Sequence, residues 1–182
     1  MLAVTAAMLY FSCVQTSTSG TTNRSNIKNM ENPTIPAAIR VSSTAFSAGG
    51  MIPPQYTCDG ANVNPPLDIQ NIPENAKCLA LIVDDPDAPA GTWVHWVVWN
   101  IPVTQRIGEN EAPGTEGLND FKKHTYGGPC PPSGTHRYFF KVYALDVPLG
   151  LPGDTRKADL EKAMNGHILG YGELMGQYKR NK

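Results

Sequence analysis

The sequence predicts a mainly β protein, a β-sandwich of antiparallel sheets with one or two helices near the C-terminus. The chain has 182 residues, enough for one domain with a sizeable core. It contains 17 glycines and 16 prolines, and only 17% of its residues are charged, which is typical of a turn-rich β protein. Its longest apolar runs have the length of strands, and helical periodicity occurs only late in the chain.

The N-terminus differs in composition from the rest, so we predict a leader and flexible linker over 1–38 and a folded domain over 39–182. The run "MLAVTAAMLYFSC" is apolar but shorter than the ~20 residues that a membrane-spanning helix needs, and it suits a secretion signal. Ser12 before Cys13 resembles a bacterial lipobox, in which Cys13 would be lipidated. The alternative is an uncleaved apolar tail. A Ser/Thr/Asn-rich tether then follows.

Whether the cysteines form a disulfide depends on the redox state of the compartment in which the protein resides. Cys78 lies in the apolar run "CLALIVDD" and is expected in the core. Cys58 and Cys130 lie in Gly/Pro-rich loops, where a core cysteine is least expected, so they would form a disulfide in the bacterial envelope or periplasm. In a cytoplasmic protein, the alternative, both would be free thiols.

Three strong strands and two weaker ones are predicted in order along the chain. "RVSSTAF" (40–46) and "PLDIQNI" (66–72) are the weaker candidates. "CLALIVDD" (78–85) has no alternation and should be buried on both faces. In "TWVHWVVWNI" (92–101), alternation places Trp93, His95, Val97 and Trp99 on one face. "HRYFFKVYALD" (136–146) is the third strong strand.

Helical signals come after residue 150. "TRKADLEKAMNG" has Asp154 or Thr155 as a candidate N-cap, and Gly166 as the stop. Its apolar stripe consists of Leu160, Ala163 and Met164. "ELMGQYKR" (173–180) is predicted to be a short terminal helix.

Polar residues at the ends of the strong strands suggest a binding pocket. Asp84, Asp85 and Asp87 follow one strand as "DDPDAP", His95 interrupts an apolar strand, and His136–Arg137 open another. A carboxylate that binds one imidazole nitrogen orients the ring and favours its cation, so two such histidines would bind a phosphate or carboxylate. The stiff loop "GGPCPPSGT" would add backbone N–H donors, for example from Gly134 and Thr135.

The net charge is −1, from 15 basic and 16 acidic residues. No global field attracts nucleic acid, and contact with a membrane is expected only through an N-terminal lipid anchor. The expected partner is therefore a small anionic or phosphorylated ligand, with a protein as a second class of partner.

The segments "DDPDAPAGTWVHWVVWNIP" and "GGPCPPSGTHRYFFKVYALD" resemble the phosphatidylethanolamine-binding protein family, in its bacterial and archaeal Raf-kinase-inhibitor-like branch. "IPPQYTCDGANVNPPL", "NDF", "AMNGHIL" and "ELMGQY" extend the resemblance over about residues 40 to 179. It implies a β-sandwich with a small anion pocket that binds phosphoryl headgroups or phosphorylated residues, and a role as a regulator or kinase-inhibitor-like protein. We expect no cofactor and no enzyme activity. The matching motif residues are Asp85, Asp87, Trp93, His95, Pro132, Gly134, His136 and Tyr138. We find no match to the C-terminal helix that gates the pocket in eukaryotic members, some of which restrain kinases.

Two other site classes remain open. Asp85, Asp87, His95 and His136 form a plausible metal-ligand set. A serine hydrolase needs a nucleophile near a base, and Ser133 lies three residues before His136. The surrounding "PPSGT" does not match a nucleophile elbow, however.

Overall fold

The computed structural model describes residues 36–180, which form two β-sheets and one α-helix. Of the leader and linker predicted over residues 1–38, residues 1–35, including the lipidation site at Cys13, lie outside the described residues. A short 3-10 helix spans Pro54–Tyr56, and α1 spans Lys157–Met164. The strands are β1 Ala37–Ala38, β2 Arg40–Ser42, β3 Leu67–Gln70, β4 Cys78–Asp85, β5 Trp93–Ile101, β6 Arg106–Ile107, β7 Thr115–Glu116, β8 His136–Leu145 and β9 Ile168–Tyr178.

The larger sheet has six strands in the order β1-β9-β8-β4-β5-β7, and the smaller has three in the order β2-β3-β6. All pairs are antiparallel except β1 with β9, which is parallel. Strand β4 lies between β8 and β5, and each of its residues is buried. The unbroken apolar run therefore correctly predicted a central strand.

Two apolar cores hold these layers together. The first packs residues of the smaller sheet, such as Leu67 and Ile69, against residues of the larger one, such as Leu81 and Val142. The second packs the opposite face of the larger sheet against α1, through Leu160 of the helix among others. The predicted β-sandwich is confirmed, with a single helix in the described part of the chain.

The predicted terminal helix over 173–180 is wrong, because this segment belongs to the long strand β9. Burial alternates along β9, and several of its buried positions are glycines, which carry no apolar side chain to reveal the alternation. A side chain at Gly172 would lie 2.0 Å from the Ile39 carbonyl oxygen, and one at Gly176 would lie 2.6 Å from Ile52 and Phe46. These glycines allow neighbouring segments to pack directly on the strand.

The N-terminal cap predicted for α1 is also wrong. The Thr155 hydroxyl donates to the Pro152 carbonyl, and Arg156 occupies the cap position without a side-chain hydrogen bond. The predicted stop is correct: Gly166 follows the helix with a φ of 82°, a left-handed conformation that favours glycine.

Among residues 36–180, no helix is long and apolar enough to cross a bilayer.

Candidate functional site

A cavity of about 310 Å³ opens at one end of the larger sheet. Strand β4 ends at Asp85, while β5 begins at Trp93 and β8 at His136, and antiparallel pairing brings these three ends together. Residues far apart in the sequence therefore meet around one space. The lining residues are Asp85, Ala88, Pro89, Ala90, Trp93, His95, Phe121, Cys130, Pro131, Pro132 and His136.

A β-bulge directs His95 into this cavity, which we call the first cavity. Val83 pairs with Trp96 and Asp84 pairs with Val94, so His95 is an extra residue on β5 with no partner on β4. The simple alternation predicted for this strand is therefore wrong. His95 contacts the ring of Tyr138 in the sandwich core, whereas Val97 and Trp99 pack in the helix-side core.

The bulged histidine is held by the backbone of the Gly/Pro loop. His95 is only 2% exposed, and its Nδ1 lies 2.6 Å from the carbonyl oxygen of Gly127. A carbonyl only accepts hydrogen bonds, so Nδ1 carries a proton and Nε2 is the free ring nitrogen. Burial lowers the pKa of His95 below its usual value, against the smaller opposing effects of Gly127 and Asp85. His95 is therefore a neutral imidazole near pH 7.

The second histidine is held by a carboxylate. His136 Nδ1 lies 2.8 Å from Oδ2 of Asp85, and both side chains are buried. The other oxygen of Asp85 accepts the backbone N–H of Asp87 at 2.8 Å. Because both carboxylate oxygens are engaged, the orientation of Asp85 is fixed, and His136 Nε2 is left as its free ring nitrogen.

Asp87 acts behind the cavity and does not line it. Its Oδ2 accepts both the backbone N–H and the Nε–H of Arg137, and its Oδ1 accepts from Nη2 at 2.7 Å. The guanidinium lowers the pKa of Asp87 to about 2. Asp87 therefore fixes the backbone directly after His136 and compensates the charge of Arg137.

Asp84 has a structural position on the other face of β4. Its carboxylate is paired with Lys141 of β8 and Lys157 of α1. Of the three acidic residues in "DDPDAP", only Asp85 lines the cavity. Asp84 instead anchors the helix to the sheet.

The predicted disulfide between Cys58 and Cys130 is present, with their Cα atoms 5.4 Å apart. The same loop is also bound through its backbone: the Cys58 N–H donates to the Pro129 carbonyl, and the Gly128 N–H donates to Asn62 Oδ1. The bridge and these bonds fix the loop whose Gly127 carbonyl holds His95. Cys78 is a buried free thiol, as expected.

The structure brings Asp85, Trp93, His95, Pro132 and His136 to the cavity, as the motifs predicted. Two further predicted residues, Tyr138 and Gly134, lie outside its lining. Tyr138 is fully buried with its ring 5.2 Å from that of His95, and burial together with the charge of Asp85 raises its pKa. Gly134 is exposed in a left-handed turn, and Thr135, the other predicted N–H donor, is exposed and outside the lining as well.

Phe121 is the lining residue of largest size that the sequence did not predict as a site residue. Its ring packs edge-on against Trp93 at 5.4 Å and against His95 at 5.3 Å. Asn119, two residues earlier, is fully buried and donates to the backbone carbonyls of His95 and Thr125. A signal was available, because "NDF" is one of the segments that extend the family resemblance.

The alternative site classes find little support in the geometry. Within residues 36–180, no cluster of histidine, cysteine and acidic side chains is suited to hold a metal ion. Ser133 is exposed, and in this part of the chain its hydroxyl makes no hydrogen bond to either histidine. A nucleophile needs a base within hydrogen-bond reach, and this serine has none there.

Comparison with protein families finds one match that spans most of the described chain. The model of the family described as phosphatidylethanolamine-binding protein matches residues 42–179. These residues include both histidines and the whole lining of the first cavity.

Similar proteins occur in archaea and bacteria. A UPF0098 protein of Pyrococcus abyssi is 53% identical over 150 residues, covering 76% of this chain and 84% of that protein. A UPF0098 protein of Aquifex aeolicus is 46% identical over 155 residues, covering 80% of this chain and 91% of that protein.

Two solved structures share the fold. One is a putative phosphatidylethanolamine-binding protein homolog from Chlamydia trachomatis, with a TM-score of 0.77 and 42% identity, covering 79% of this chain and 99% of that one. The other is YbcL of Escherichia coli, described as a new member of the mammalian family, with a TM-score of 0.73 and 29% identity, covering 80% and 100%.

Proposed function

Because the chain belongs to the phosphatidylethanolamine-binding protein family, we propose that its first cavity binds a small anion: phosphate or the phosphoryl group of a larger ligand. The protein would then act as a ligand-binding module. The observation that carries this proposal is the pair of histidines on one cavity. Each has its Nδ1 engaged, by Gly127 or by Asp85, and each keeps Nε2 for a ligand.

The two rings offer different chemistry to a phosphoryl group. His95 is neutral near pH 7, so its Nε2 accepts a proton or a P–O–H hydrogen bond from a singly protonated phosphate. His136 is oriented by the Asp85 carboxylate at Nδ1, so its Nε2 accepts from a P–O–H group as a neutral ring and donates to a phosphate oxygen as an imidazolium. A phosphate monoester has a second pKa near 6, so both protonation states of the ligand are accessible at neutral pH.

The remaining walls favour burial of the ligand. Trp93, Phe121 and Pro132 line the space with apolar surface. Exclusion of water strengthens a hydrogen bond to a charged group, because the local dielectric constant is lower than in bulk solvent. The rigid positions of both imidazoles reduce the entropy lost when a ligand binds.

Replacement of each histidine by asparagine tests the proposal directly. The asparagine amide reproduces the Nδ1–H donor, which keeps the bond to Asp85 or Gly127, but it removes Nε2. We expect His136→Asn to weaken binding of inorganic phosphate and phosphoethanolamine by about 1.5–3 kcal/mol, the usual value of a hydrogen bond to a charged group. Calorimetry with and without a chelator measures this loss and separates the anion site from a metal site.

His167 provides a matched control. It also bonds an aspartate through Nδ1, at 2.9 Å from Asp146, but this exposed pair lies outside the first cavity. His167→Asn should leave phosphate affinity unchanged. Wild-type affinity in a folded His136→Asn protein would contradict the proposal.

We further propose an envelope location, with attachment to a membrane through lipidated Cys13. A disulfide beside the cavity supports an oxidising compartment. Fractionation of cells that express the full chain tests both points. Cys13→Ala should release the protein from the membrane fraction, and a cytoplasmic, thiol-reduced protein would contradict the location.

A further inference from the structure

A second cavity, of about 230 Å³, lies directly beside the first. Phe121 and Cys130 line both, so the aromatic ring and one half of the disulfide bridge form the wall between them. Cys58, the other half of the bridge, also lines the second cavity. A ligand that fills the first cavity therefore has a neighbouring space within reach.

The second cavity offers hydrogen-bond donors and no carboxylate. Its lining residues are Cys58, Ala61, Asn62, Phe121, Lys123, Thr125, Tyr126, Gly127, Gly128 and Cys130. Among the described residues, the Lys123 ammonium has no acidic partner within 4 Å, and the Thr125 hydroxyl makes no hydrogen bond. Both side chains are exposed, so their donors are open to solvent and to a ligand, and a cationic and a neutral donor together suit an anion.

The orientation of Asn62 adds a third donor. Its side chain receives the backbone N–H of Gly128 at 2.7 Å, and because an N–H only donates, the receiving atom is Oδ1. The amide NH₂ is therefore left without a partner in the described part of the chain. Asn62 binds the loop with its acceptor and keeps its donors for another group.

The backbone around Lys123 is fixed by a buried side chain. Asn119 accepts the Lys123 N–H at its Oδ1, and its own N–H donates to the Lys123 carbonyl. The nearby carboxylate of Asp59 is compensated by Arg180, 2.8 Å away. Lys123 is therefore the charged side chain in the lining of the second cavity, and the point from which it extends is defined.

We propose that the second cavity binds an acidic group of the same ligand whose phosphoryl group occupies the first cavity. This inference rests on the proposed function and narrows the ligand class to molecules with a phosphoryl group and a second acidic group beyond the wall of Phe121 and Cys130. Lys123 provides the charge, and Asn62 and Thr125 provide neutral donors.

Two series of small probes test the inference by calorimetry at 0.15 M salt. One consists of alkylphosphonates of increasing chain length, and the other of the same chains with a terminal carboxylate. At one chain length, the carboxylate should increase the affinity of the wild-type protein roughly three- to tenfold, as expected for a partly exposed, charge-assisted contact. Lys123→Met should abolish this gain and leave the affinity for alkylphosphonates unchanged.

Lys122→Met is the matched control, because Lys122 is exposed in the same turn but does not line the second cavity. This variant should keep the carboxylate gain. If both variants lose the affinity gained from the carboxylate, the gain arises from net charge and the inference is overturned. A carboxylate gain that survives Lys123→Met would also overturn it.

The wild-type data separate this inference from the proposed function. If alkylphosphonates bind and no carboxylate at any length adds affinity, the second subsite is wrong and the anion pocket stands. If neither series binds, the proposed function is wrong and the inference fails with it.

Discussion

His95 and His136 both line the first cavity, and we call the parts of the structure that hold them the His95 wall and the His136 wall. The two walls hold their imidazole rings by different means. His95 is positioned by a β-bulge, a backbone carbonyl and a disulfide-bound loop, all of which are neutral. His136 is positioned by a buried carboxylate, with a second carboxylate fixing the adjacent arginine. The position of His95 therefore depends on packing and covalent closure, whereas the position of His136 depends on charge. The two walls should respond to different perturbations.

The largest expected effect is on the His95 wall, through its disulfide. Its cysteines are 72 positions apart, and opening a loop of this length costs about 4 kcal/mol in the chain-entropy model. A Cys58→Ala/Cys130→Ala variant should lose about that much free energy of unfolding in a denaturant titration. The oxidised wild type should lose a similar amount on reduction, while the variant should not respond to reductant. A loss below about 1 kcal/mol would show that the backbone bonds alone hold the loop.

Truncation of His95 should have the next largest effect. His95→Ala removes a buried ring and leaves the Gly127 carbonyl without its donor, so we expect a loss of about 3 kcal/mol in stability. His95→Asn restores a donor and should recover part of the loss. Thermal and denaturant unfolding of both variants measure the difference. Equal stability of the two would show that the carbonyl bond contributes nothing.

The pH dependence of stability should also separate the walls. The folded-state pKa of His95 is lowered, so its contribution is present above the unfolded pKa of about 6.5 and is lost as the pH falls below that value. The wild type should therefore lose stability between pH 7 and pH 5 more steeply than His95→Asn. Parallel unfolding curves for the two proteins over that range would contradict a neutral, buried His95.

As the pH falls, phosphate affinity should rise, whereas the stability of the fold should decrease. The neutral Nε2 of His95 accepts a hydrogen bond from a protonated phosphate oxygen, so binding should strengthen as the pH falls from 8 to 6 and the ligand gains its proton, by at most about tenfold per pH unit for one coupled proton. In His95→Asn this dependence should be weaker, because no Nε2 remains to accept a hydrogen bond from the protonated phosphate. Calorimetry at three pH values tests this, and an unchanged slope in the variant would remove His95 from the site.

The smallest effect is expected at the outer pair of the charged wall. The Asp87–Arg137 pair is largely exposed, and such pairs contribute little. The pKa of Asp87 is lowered to about 2, so its contribution is present above the unfolded pKa near 3.8 and is lost as the pH falls toward 2. Asp87→Asn should therefore differ from the wild type in acid unfolding only above about pH 2. Phosphate affinity at pH 7 should fall slightly, because the backbone after His136 loses a carboxylate acceptor.

The amino-acid sequence alone predicts the sandwich, its three central strands and five of the eleven residues that line the first cavity. Continuous apolar runs specify buried strands from local composition, and polar residues at the ends of those runs meet once the strands pair. It also indicated the Cys58–Cys130 pair, because cysteines in Gly/Pro loops are unlikely core residues. These properties depend on residue type and order along the chain.

The direction of the His95 side chain, the strand conformation of β9 and the position of Phe121 at the cavity depend on tertiary contacts. A bulge depends on how β4 and β5 pair, and that register is not visible in either strand alone. Strand β9 is built on glycines whose function is to admit neighbouring segments, so its alternation appears only when those neighbours are present. Phe121 reaches the cavity from a loop held by buried Asn119, which donates to the carbonyl of His95, 24 positions away in the sequence. Each of these features is a property of contacts between segments, which local composition does not encode.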